Sequence, residues 1–318
     1  MMKLLKGVLL IISIVLAIYL VINIDSFSNS FIENVMTSNH LSIQEGNQFE
    51  IEDNFDFVSS TDNFTPYSYN DLTNIIYTII NKGWDKFTFY CASEYTECVN
   101  DITKISDDET LLTHINNFVH PYNSFTNLKT ILSSTGEITI EVNYLYNGEQ
   151  IAKIENKVNQ IIEEQINSFD DDTTKIKTIH DYIVSNTQYD VERNKTGDSQ
   201  YLSYLAYGPL FQGYATCSGY TDLMAIFLNK FGIKNYKVAT TADRISNSNN
   251  GHIWNAVYLD GKWLHLDLTW DDPVSEGDVN FITHSYFLIP TDKLVLLDEV
   301  GVKVEDHNFD RSIYTELK

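Results

Sequence analysis

The pattern of hydrophobic and polar positions predicts a chain of mixed α and β structure. Asp260-Gly261 stands between two alternating runs and is typical of a two-residue type I′ hairpin. Alternation typical of strands also marks 86–91 and two segments around Ser134 to Gly136. Segments with apolar residues three and four positions apart, typical of helices, are 69–81, much of 94–118, 149–167, 176 to about 186, and 217–231.

The first 24 residues predict a transmembrane anchor. Gly7 to Ile24 carries no charge over 18 residues, and a helix of that length spans roughly 27 Å, enough to cross a bilayer. Lys3 and Lys6 precede it, and basic residues favour the cytoplasmic side, so the N-terminus would lie inside and the rest of the chain outside. A cleaved signal peptide, which leaves a secreted protein, and a buried core helix are the alternatives.

Length and composition divide the rest of the chain into three parts. The 318 residues suit two folded domains. Residues 25–62 are polar, acidic and rich in Asn and Ser, which predicts a linker. Residues 63–168 predict a small α+β domain without evident chemistry, and residues 169–318 a domain that carries the candidate site.

The net charge excludes one class of partner. Acidic residues number 44 against 21 basic ones, which gives a net charge of −23, so nucleic acid is not an expected ligand. Hydrophobic content of 43% and aromatic content of 13% are typical of a folded globular protein. The charge by itself identifies no substrate.

The three cysteines divide into a close pair and a single residue. Cys91 and Cys98 are near enough in sequence to form a short-loop disulfide in an oxidising compartment. Cys217 is then unpaired. Such a cysteine is either a small core residue or a group kept for its chemistry. A redox role would need a resolving cysteine, and none lies close to Cys217 in sequence.

Cys217 stands at the head of a predicted helix, just before its apolar stripe and between the candidate capping hydroxyls of Thr216 and Ser218. At that position the helix dipole and the free backbone N–H groups favour a thiolate. The same N–H groups are able to hold an oxyanion. Gly213 and Gly219 permit a close approach of the backbone. The position therefore favours a nucleophile over a core residue.

The predicted hairpin brings a histidine and an aspartate to one face. If the Asp-Gly pair forms the turn, Leu259 pairs with Lys262, which places Thr269 opposite His252 and Asp267 diagonal to it. Diagonal side chains of this size can form a hydrogen bond. The pattern therefore predicts His252 as a general base and Asp267 as the group that orients it.

The remaining histidines offer weaker candidates. His265 lies on the same hairpin face and is an alternative base. His180 lies within a helix, and His284 follows in a short aromatic segment, so structural roles are expected for both. A zinc site built on Cys217 and the hairpin histidines lacks any short ligand spacing, so neither a metal nor another cofactor is expected.

Two stretches resemble the transglutaminase-like superfamily, a branch of the papain-like cysteine enzymes. The run YGPLFQGYATCSGYTDLMAIFLNKFGI is similar to its nucleophile segment, and GHIWNAVYLDGKWLHLDLTWDDP is similar to its H-x-W-N and W-x-x-x-D-x-T-W strands. The resemblance covers roughly residues 175 to 290. It places the family's nucleophile on Cys217, its base on His252 and its acid on Asp267.

The resemblance also implies a fold and further site residues. The expected fold class is α+β, with the Cys-bearing helix packed on an antiparallel sheet that carries His and Asp, a smaller N-terminal α+β domain and the N-terminal transmembrane helix. Papain-type relatives carry a glutamine before the nucleophile as an oxyanion donor, which implies Gln212, with Tyr207 or Tyr214 as alternatives. Tyr214 and Trp254 are the candidate substrate-binding residues.

These observations together predict a bacterial, membrane-anchored, extracytoplasmic cysteine enzyme. It would transfer acyl groups from protein or peptide amides through a thioester, without a cofactor. A cysteine peptidase or deamidase with the same triad is the first alternative. A non-catalytic cell-surface binding module is the second. The expected partners are a protein or peptide substrate and, through the N-terminal helix, the membrane.

Overall fold

The computed structural model describes residues 44–133, 136–240, 251–272, 282–300 and 307–317. The predicted transmembrane segment and the predicted linker up to residue 43 lie outside these ranges. Within the described ranges, no helix combines the length and the hydropathy needed to cross a bilayer.

Helical periodicity in the first half produces the expected helices, with one interruption. The helix predicted over 69–81 is confirmed, and the side chain of Ser68 caps it by accepting a hydrogen bond from the Asp71 amide. The stretch predicted over 94–118 contains two helices, because Asp108 leaves the helical conformation and caps the second. The elements of this half are α1 (Tyr69–Asn81), β1 (Lys86–Tyr90), α2 (Cys98–Asp107), α3 (Glu109–Asn117), β2 (Phe125–Leu132), β3 (Glu137–Tyr144) and α4 (Gly148–Gln165).

The strands of the first half form an antiparallel sheet in the order β1-β3-β2. The two strands predicted around Ser134 to Gly136 are β2 and β3, which pair with each other as expected. Phe89, Ile138 and Ile140 are fully buried on this sheet. Burial of these side chains removes apolar surface from water and holds the sheet against the helices.

The second half contains the candidate site, and its long tyrosine-rich loop is more ordered than the sequence pattern indicates. The helix predicted from residue 176 begins earlier, because the side chain of Asp171 accepts a hydrogen bond from the Thr174 amide and caps it. The elements are α5 (Asp172–Asn186), β4 (Gln188–Tyr189), α6 (Val191–Thr196), a π-helical turn (Gly208–Gln212), β5 (Tyr214–Ala215), α7 (Cys217–Lys230), β6 (Asn235–Ala239), β7 (Ile253–Leu259), β8 (Lys262–Leu266), α8 (Leu268–Asp271) and α9 (Thr291–Val300).

A second antiparallel sheet, ordered β6-β7-β8, contains the predicted hairpin. Asp260 and Gly261 have φ values of 50° and 79°, as a type I′ turn requires. Leu259 pairs with Lys262, so the predicted register is confirmed. The ladder ends at the Asn255–Leu266 pair, because the chain then turns into α8. The predicted pairing of His252 with Thr269 is therefore wrong.

The hydrophobic core is continuous across residue 168, the boundary predicted between two domains. Phe55, Phe118 and Tyr236 contact one another with ring centroids 4.9 to 5.5 Å apart. Residues Glu45–Lys318 form one compact unit. Residues 45–62, part of the predicted linker, belong to it, since Phe55 and Val58 are 6% and 1% exposed.

A buried ion pair joins α7 and β6 to the first half of the chain. The ammonium of Lys237 lies 3.1 Å from Oδ1 of Asp222 and donates to the Ser124 hydroxyl at 2.9 Å. The other carboxylate oxygen accepts from the Tyr146 hydroxyl at 2.8 Å, and that hydroxyl accepts from the Ala206 amide at 2.9 Å. Each charge is therefore compensated where water is excluded.

Candidate active site

Helix α7 places Cys217 at its first position. The apolar side chains that follow are buried against the β6-β7-β8 sheet and α5. Cys217 itself is only half-buried and carries the one free thiol of the described residues, since Cys91 and Cys98 form a disulfide. The first amides of a helix have no intrahelical acceptor. Cys217 therefore lies half-buried beside backbone donors and the positive end of the helix dipole.

The loop before α7 fixes the start of the helix by backbone contacts instead of the expected side-chain cap. Thr216 is the N-cap residue, but its side chain makes no capping hydrogen bond. Instead, its amide donates to the carbonyl oxygen of Ser203 at 2.8 Å, and its hydroxyl donates to the same oxygen at 3.4 Å. A Cβ at Gly219 would lie 2.2 Å from that oxygen, so only glycine allows this contact.

The hairpin places His252 and Asp267 side by side. His252 precedes β7 and Asp267 follows β8. In an antiparallel pair the start of one strand lies beside the end of the next, so both residues lie at the same end of the hairpin. Nε2 of His252 is 2.5 Å from Oδ2 of Asp267. The predicted orienting contact is therefore present, and it leaves Nδ1 of the imidazole for the thiol.

Two buried polar residues hold α7 against the histidine strand. The hydroxyl of Thr221 donates to the carbonyl oxygen of Ile253 at 2.9 Å, one residue after His252. The side-chain Nδ2 of Asn255 donates to the carbonyl oxygen of Thr221 at 3.1 Å. Asn255 belongs to the H-x-W-N run, so the sequence marks its position but gives no indication of its partner. These contacts hold the start of α7, which carries Cys217, beside the start of β7, which follows His252.

Asp267 divides its two carboxylate oxygens between two tasks. Oδ1 caps α8 by accepting from the amides of Thr269 at 2.9 Å and Trp270 at 3.3 Å. Oδ2 accepts from His252 and also from Nε2 of His307 at 2.9 Å. His307 lies in the C-terminal segment outside any recognisable motif, so no sequence pattern predicts its contact with Asp267.

The charges of the site favour an ion pair between sulfur and imidazole. Burial raises the pKa of the Cys217 thiol, but the hydrogen bond to His252 and the charge of its ring outweigh burial and bring the pKa below its ordinary value. Burial lowers the pKa of His252, whereas the charge of Asp267 and its hydrogen bonds raise it to about 10. Burial also raises the pKa of Asp267, but His252 and His307 together hold that pKa well below its usual range.

Two sequence-based candidates have other roles. Trp254 is 1% exposed and stacks on His252 with ring centroids 5.6 Å apart, so its ring supports the base, and its substrate contact stays a prediction. Its indole Nε1 donates to Nδ1 of His265 at 2.9 Å. His265 pairs with Ala256 as predicted, but it is fully buried and burial lowers its pKa to about 3. Both ring nitrogens of His265 thus have buried partners, since Nε2 lies 3.0 Å from the Thr291 hydroxyl, and this favours a structural role over that of a base.

Gln212 and Tyr214 precede α7, and their roles as oxyanion donor and substrate-binding residue stay predictions. Oε1 of Gln212 accepts from the Leu202 amide at 2.8 Å, which leaves the amide nitrogen of Gln212 as its donor group. Tyr214 is half-buried in β5, three residues before Cys217. Its ring stacks on Tyr201 with centroids 4.0 Å apart. Both side chains are thus held in place on the chain segment that leads to the nucleophile.

Two groups of potential metal ligands occur among the described residues. His180, Asp181 and His284 bring their ligand atoms within 4.8 Å of one another. The ammonium of Lys177 lies 2.5 Å from Asp181 and 3.1 Å from Nε2 of His284, so a positive charge already occupies this place. The second group is His252, Asp267 and His307, whose closeness reflects two hydrogen bonds to one carboxylate. The expectation of no cofactor stays a prediction.

This arrangement is suited to nucleophilic attack on a carbonyl carbon. A thiolate at Cys217 is the nucleophile, and protonated His252 is the acid that can supply the leaving group with a proton. Asp267 holds the imidazole tautomer and stabilises its charge. The amides at the start of α7 are donors for the oxyanion that forms in the transition state.

Comparison with known families identifies the region around these residues. The family model described as the Transglutaminase-like superfamily matches residues 159–268, which include Cys217, His252 and Asp267. A curated relative, the Kyphoscoliosis peptidase of Mus musculus, is 24% identical over 175 residues, which make up 52% of this chain and 25% of the relative. The chain therefore spans about a quarter of the length of that protein.

Two solved structures are also similar. One is described as a TGase, with 17% identity, a TM-score of 0.34 and coverage of 48% of this chain and 47% of the other. The second is described as a candidate cysteine protease from Cytophaga hutchinsonii, with 12% identity, a TM-score of 0.28 and coverage of 45% of this chain and 61% of the other.

Proposed function

We propose that the protein is a cysteine acyl-transfer enzyme acting on protein or peptide amides. The proposal starts from residues 159–268, which match the transglutaminase-like family model. The observation that carries this proposal is the Cys217–His252–Asp267 arrangement, with a half-buried thiol at a helix N-terminus and an imidazole 2.5 Å from a buried carboxylate. A pure binding module has no need of such a set.

The reaction begins at the sulfur. The Sγ anion of Cys217 attacks the carbonyl carbon of the amide, and the new oxyanion accepts hydrogen bonds from the first amides of α7. The C–N bond then breaks as His252 gives its proton to the departing nitrogen. Ammonia or an amine leaves, and the acyl group remains on Cys217 as a thioester.

The second half of the reaction decides the product. An amine attacks the thioester carbon and gives up a proton to His252. The C–S bond then breaks, so that Cys217 leaves as the thiolate beside protonated His252 and the acyl group becomes part of a new amide, which is acyl transfer. Water that attacks in the same way gives a carboxylic acid, which is deamidation or peptide hydrolysis. The name of the mouse relative, a peptidase, favours hydrolysis as the second candidate. We infer transfer as the first because the matching model is that of the transglutaminase-like superfamily.

We also propose that the enzyme acts outside the cytoplasm, anchored by residues 1–24. The Cys91–Cys98 disulfide supports an oxidising compartment, where disulfides persist. The uncharged span from Gly7 to Ile24 supports a membrane anchor. The orientation rests on Lys3 and Lys6, because basic residues flank the cytoplasmic side of such spans.

To test this function, the full chain is incubated with casein and a fluorescent primary amine. Amine incorporation indicates transfer, ammonia release without incorporation indicates deamidation, and new peptide termini detected by mass spectrometry indicate a peptidase. Cys217→Ala should abolish each of these signals. The control is Phe169→Ala, since that side chain is 98% exposed and should leave turnover unchanged. Turnover that persists in Cys217→Ala contradicts the mechanism.

A further inference from the structure

A second imidazole contacts the carboxylate that orients the base. His307 is fully buried, and its Nε2 lies 2.9 Å from the same oxygen of Asp267 that accepts from His252. Asp267 is a carboxylate and can only accept, so both imidazoles present an N–H to it. His307 lies outside residues 159–268, so the family match does not include it.

The C-terminal segment holds His307 firmly at this place. Phe309 forms a β-bridge with Thr240 at the end of β6 and is 7% exposed. Tyr314 is fully buried, and its hydroxyl accepts from the Ala239 amide at 3.1 Å and from the Asn117 side chain at 2.8 Å. The segment is thus anchored on both the catalytic sheet and α3, which fixes the ring of His307 relative to Asp267.

Aromatic rings surround His307 on its remaining sides. Its ring centroid lies 4.9 Å from Trp254, 5.9 Å from Trp270 and 5.1 Å from Tyr286. The ring of His252 is 5.2 Å away at an interplanar angle of 82°. Water is excluded from this pocket, so a hydrogen bond to the carboxylate acts at low local dielectric and has a large effect.

We propose that His307 is a positioning residue of the active site, which shares Oδ2 of Asp267 with His252 and thereby weakens the hold of the carboxylate on protonated His252. This inference rests on the proposed function, since it concerns the proton that His252 must release to the leaving group. A carboxylate with one imidazole partner concentrates its charge on that partner. A second donor divides the charge, and His252 then gives up its proton more readily.

The other titratable groups near His307 do not provide the same effect. His265 is buried, and burial together with the proximity of His307 lowers its pKa to about 3, so it stays neutral across the working range. Arg311 acts on His265 from the same segment. Tyr286 stacks on the His307 ring, and its backbone amide is bound to Asp271.

The test is the pH dependence of Cys217 alkylation by iodoacetamide in the full chain. The rate should rise in two steps, first as the thiolate forms and again as His252 loses its proton. His307→Phe keeps an aromatic ring in the pocket but removes the donor. We expect its upper step to move to higher pH by about one unit, a tenfold change in the proton affinity of His252. His307→Gln keeps an N–H donor and should restore the wild-type profile.

Two variants separate this role from a structural one. Phe309→Leu weakens the packing of the C-terminal segment without changing a residue that contacts Asp267. It should lower the melting temperature and leave both steps of the alkylation profile at their wild-type pH. His307→Met is a second donor-free variant for the case in which His307→Phe does not fold. An upper step that stays in place, or moves to lower pH, in a folded donor-free variant overturns the inference.

A further comparison distinguishes failure of this inference from failure of the proposed function. In His252→Ala the upper step should disappear. If wild type and His252→Ala share one ordinary thiol profile, the proposed function fails and this inference fails with it. If His252→Ala changes the profile but His307→Phe does not, only the role of His307 is overturned.

Discussion

Nε2 of His252 lies 2.5 Å from Oδ2 of Asp267, while Oδ1 of the same carboxylate caps helix α8. One side chain thus orients the proposed base and begins the next helix. A carboxylate can do both because each of its oxygens is an acceptor. An asparagine side chain has only one oxygen, so the Asp267→Asn substitution can keep the cap of α8 while it removes the acceptor for His252.

Asp267→Asn should therefore slow the alkylation of Cys217 while it changes the free energy of unfolding only slightly. The amide oxygen can retain the cap, but the NH₂ group then faces the N–H of His252 and disfavours the required tautomer and charge. We expect the alkylation rate of Cys217 at neutral pH to fall by about 10- to 30-fold, because an ordinary thiol is only a few per cent thiolate at pH 7. Asp267→Ala loses the cap as well and should be less stable by a further ~1 kcal/mol. Equal alkylation rates in Asp267→Asn and wild type would contradict the assigned role.

Gly219→Ala should destabilise the protein, although alanine is the better helix former. A Cβ at this position would lie 2.2 Å from the carbonyl oxygen of Ser203, which also holds Thr216. The backbone must shift, and we expect a loss of about 1 to 3 kcal/mol in the free energy of unfolding together with slower alkylation of Cys217. Gly148→Ala is the matched control, because nothing lies within 4 Å of its Cβ position. Urea unfolding measures both, and a stabilised Gly219→Ala would refute the packing argument.

Lys237→Met should be among the most destabilising single changes in the core. It leaves the carboxylate of Asp222 buried without its cation, which costs about 3 to 5 kcal/mol. Adding Asp222→Asn removes the uncompensated charge and should recover at least half of the loss. The control is Lys153→Met, whose ion pair with Glu149 is solvent-exposed, so its unfolding midpoint should hardly change. Additive losses in the double variant would show that the pair is not coupled.

Exported, purified protein should contain one free thiol when it is denatured without reductant, and three after reduction. The prediction follows from the Cys91–Cys98 disulfide and the free Cys217. Cys91→Ser should leave two free thiols, namely Cys98 and Cys217. Titration with a chromogenic disulfide reagent gives the count. Three thiols without reduction would contradict the disulfide and remove the main support for an oxidising compartment.

Local patterns predicted most of the elements and the meeting of the site residues. The Asp-Gly turn determines the register of the hairpin, and this register brings His252 and Asp267 to one end. The apolar stripe after Cys217 correctly predicted a buried helix. These predictions succeed because a short sequence contains all the information that turn chemistry and periodicity require.

The features that the sequence does not reveal are contacts between distant parts of the chain. Trp254 lies on the same face as His252, but only the packing of the C-terminal segment shows that its ring is buried beneath the base. His307 is separated by 40 residues from its partner Asp267, so no periodicity connects them. Residues 45–62 have the composition of a linker, yet Phe55 is buried against Phe118 and Tyr236. Tertiary packing decides each of these cases.

The most direct test of the central claim is the rate of Cys217 alkylation by iodoacetamide against pH, in wild type and in His252→Ala. The thiol pKa is lowered and the His252 pKa is raised to about 10, so the thiolate–imidazolium pair should exist between these two values. Below this window the sulfur gains a proton, and above it the imidazole loses one. We expect a first midpoint below the ordinary value of about 8.5 in wild type, and a midpoint at that value or above in His252→Ala. An ordinary midpoint shared by both proteins would contradict an activated cysteine.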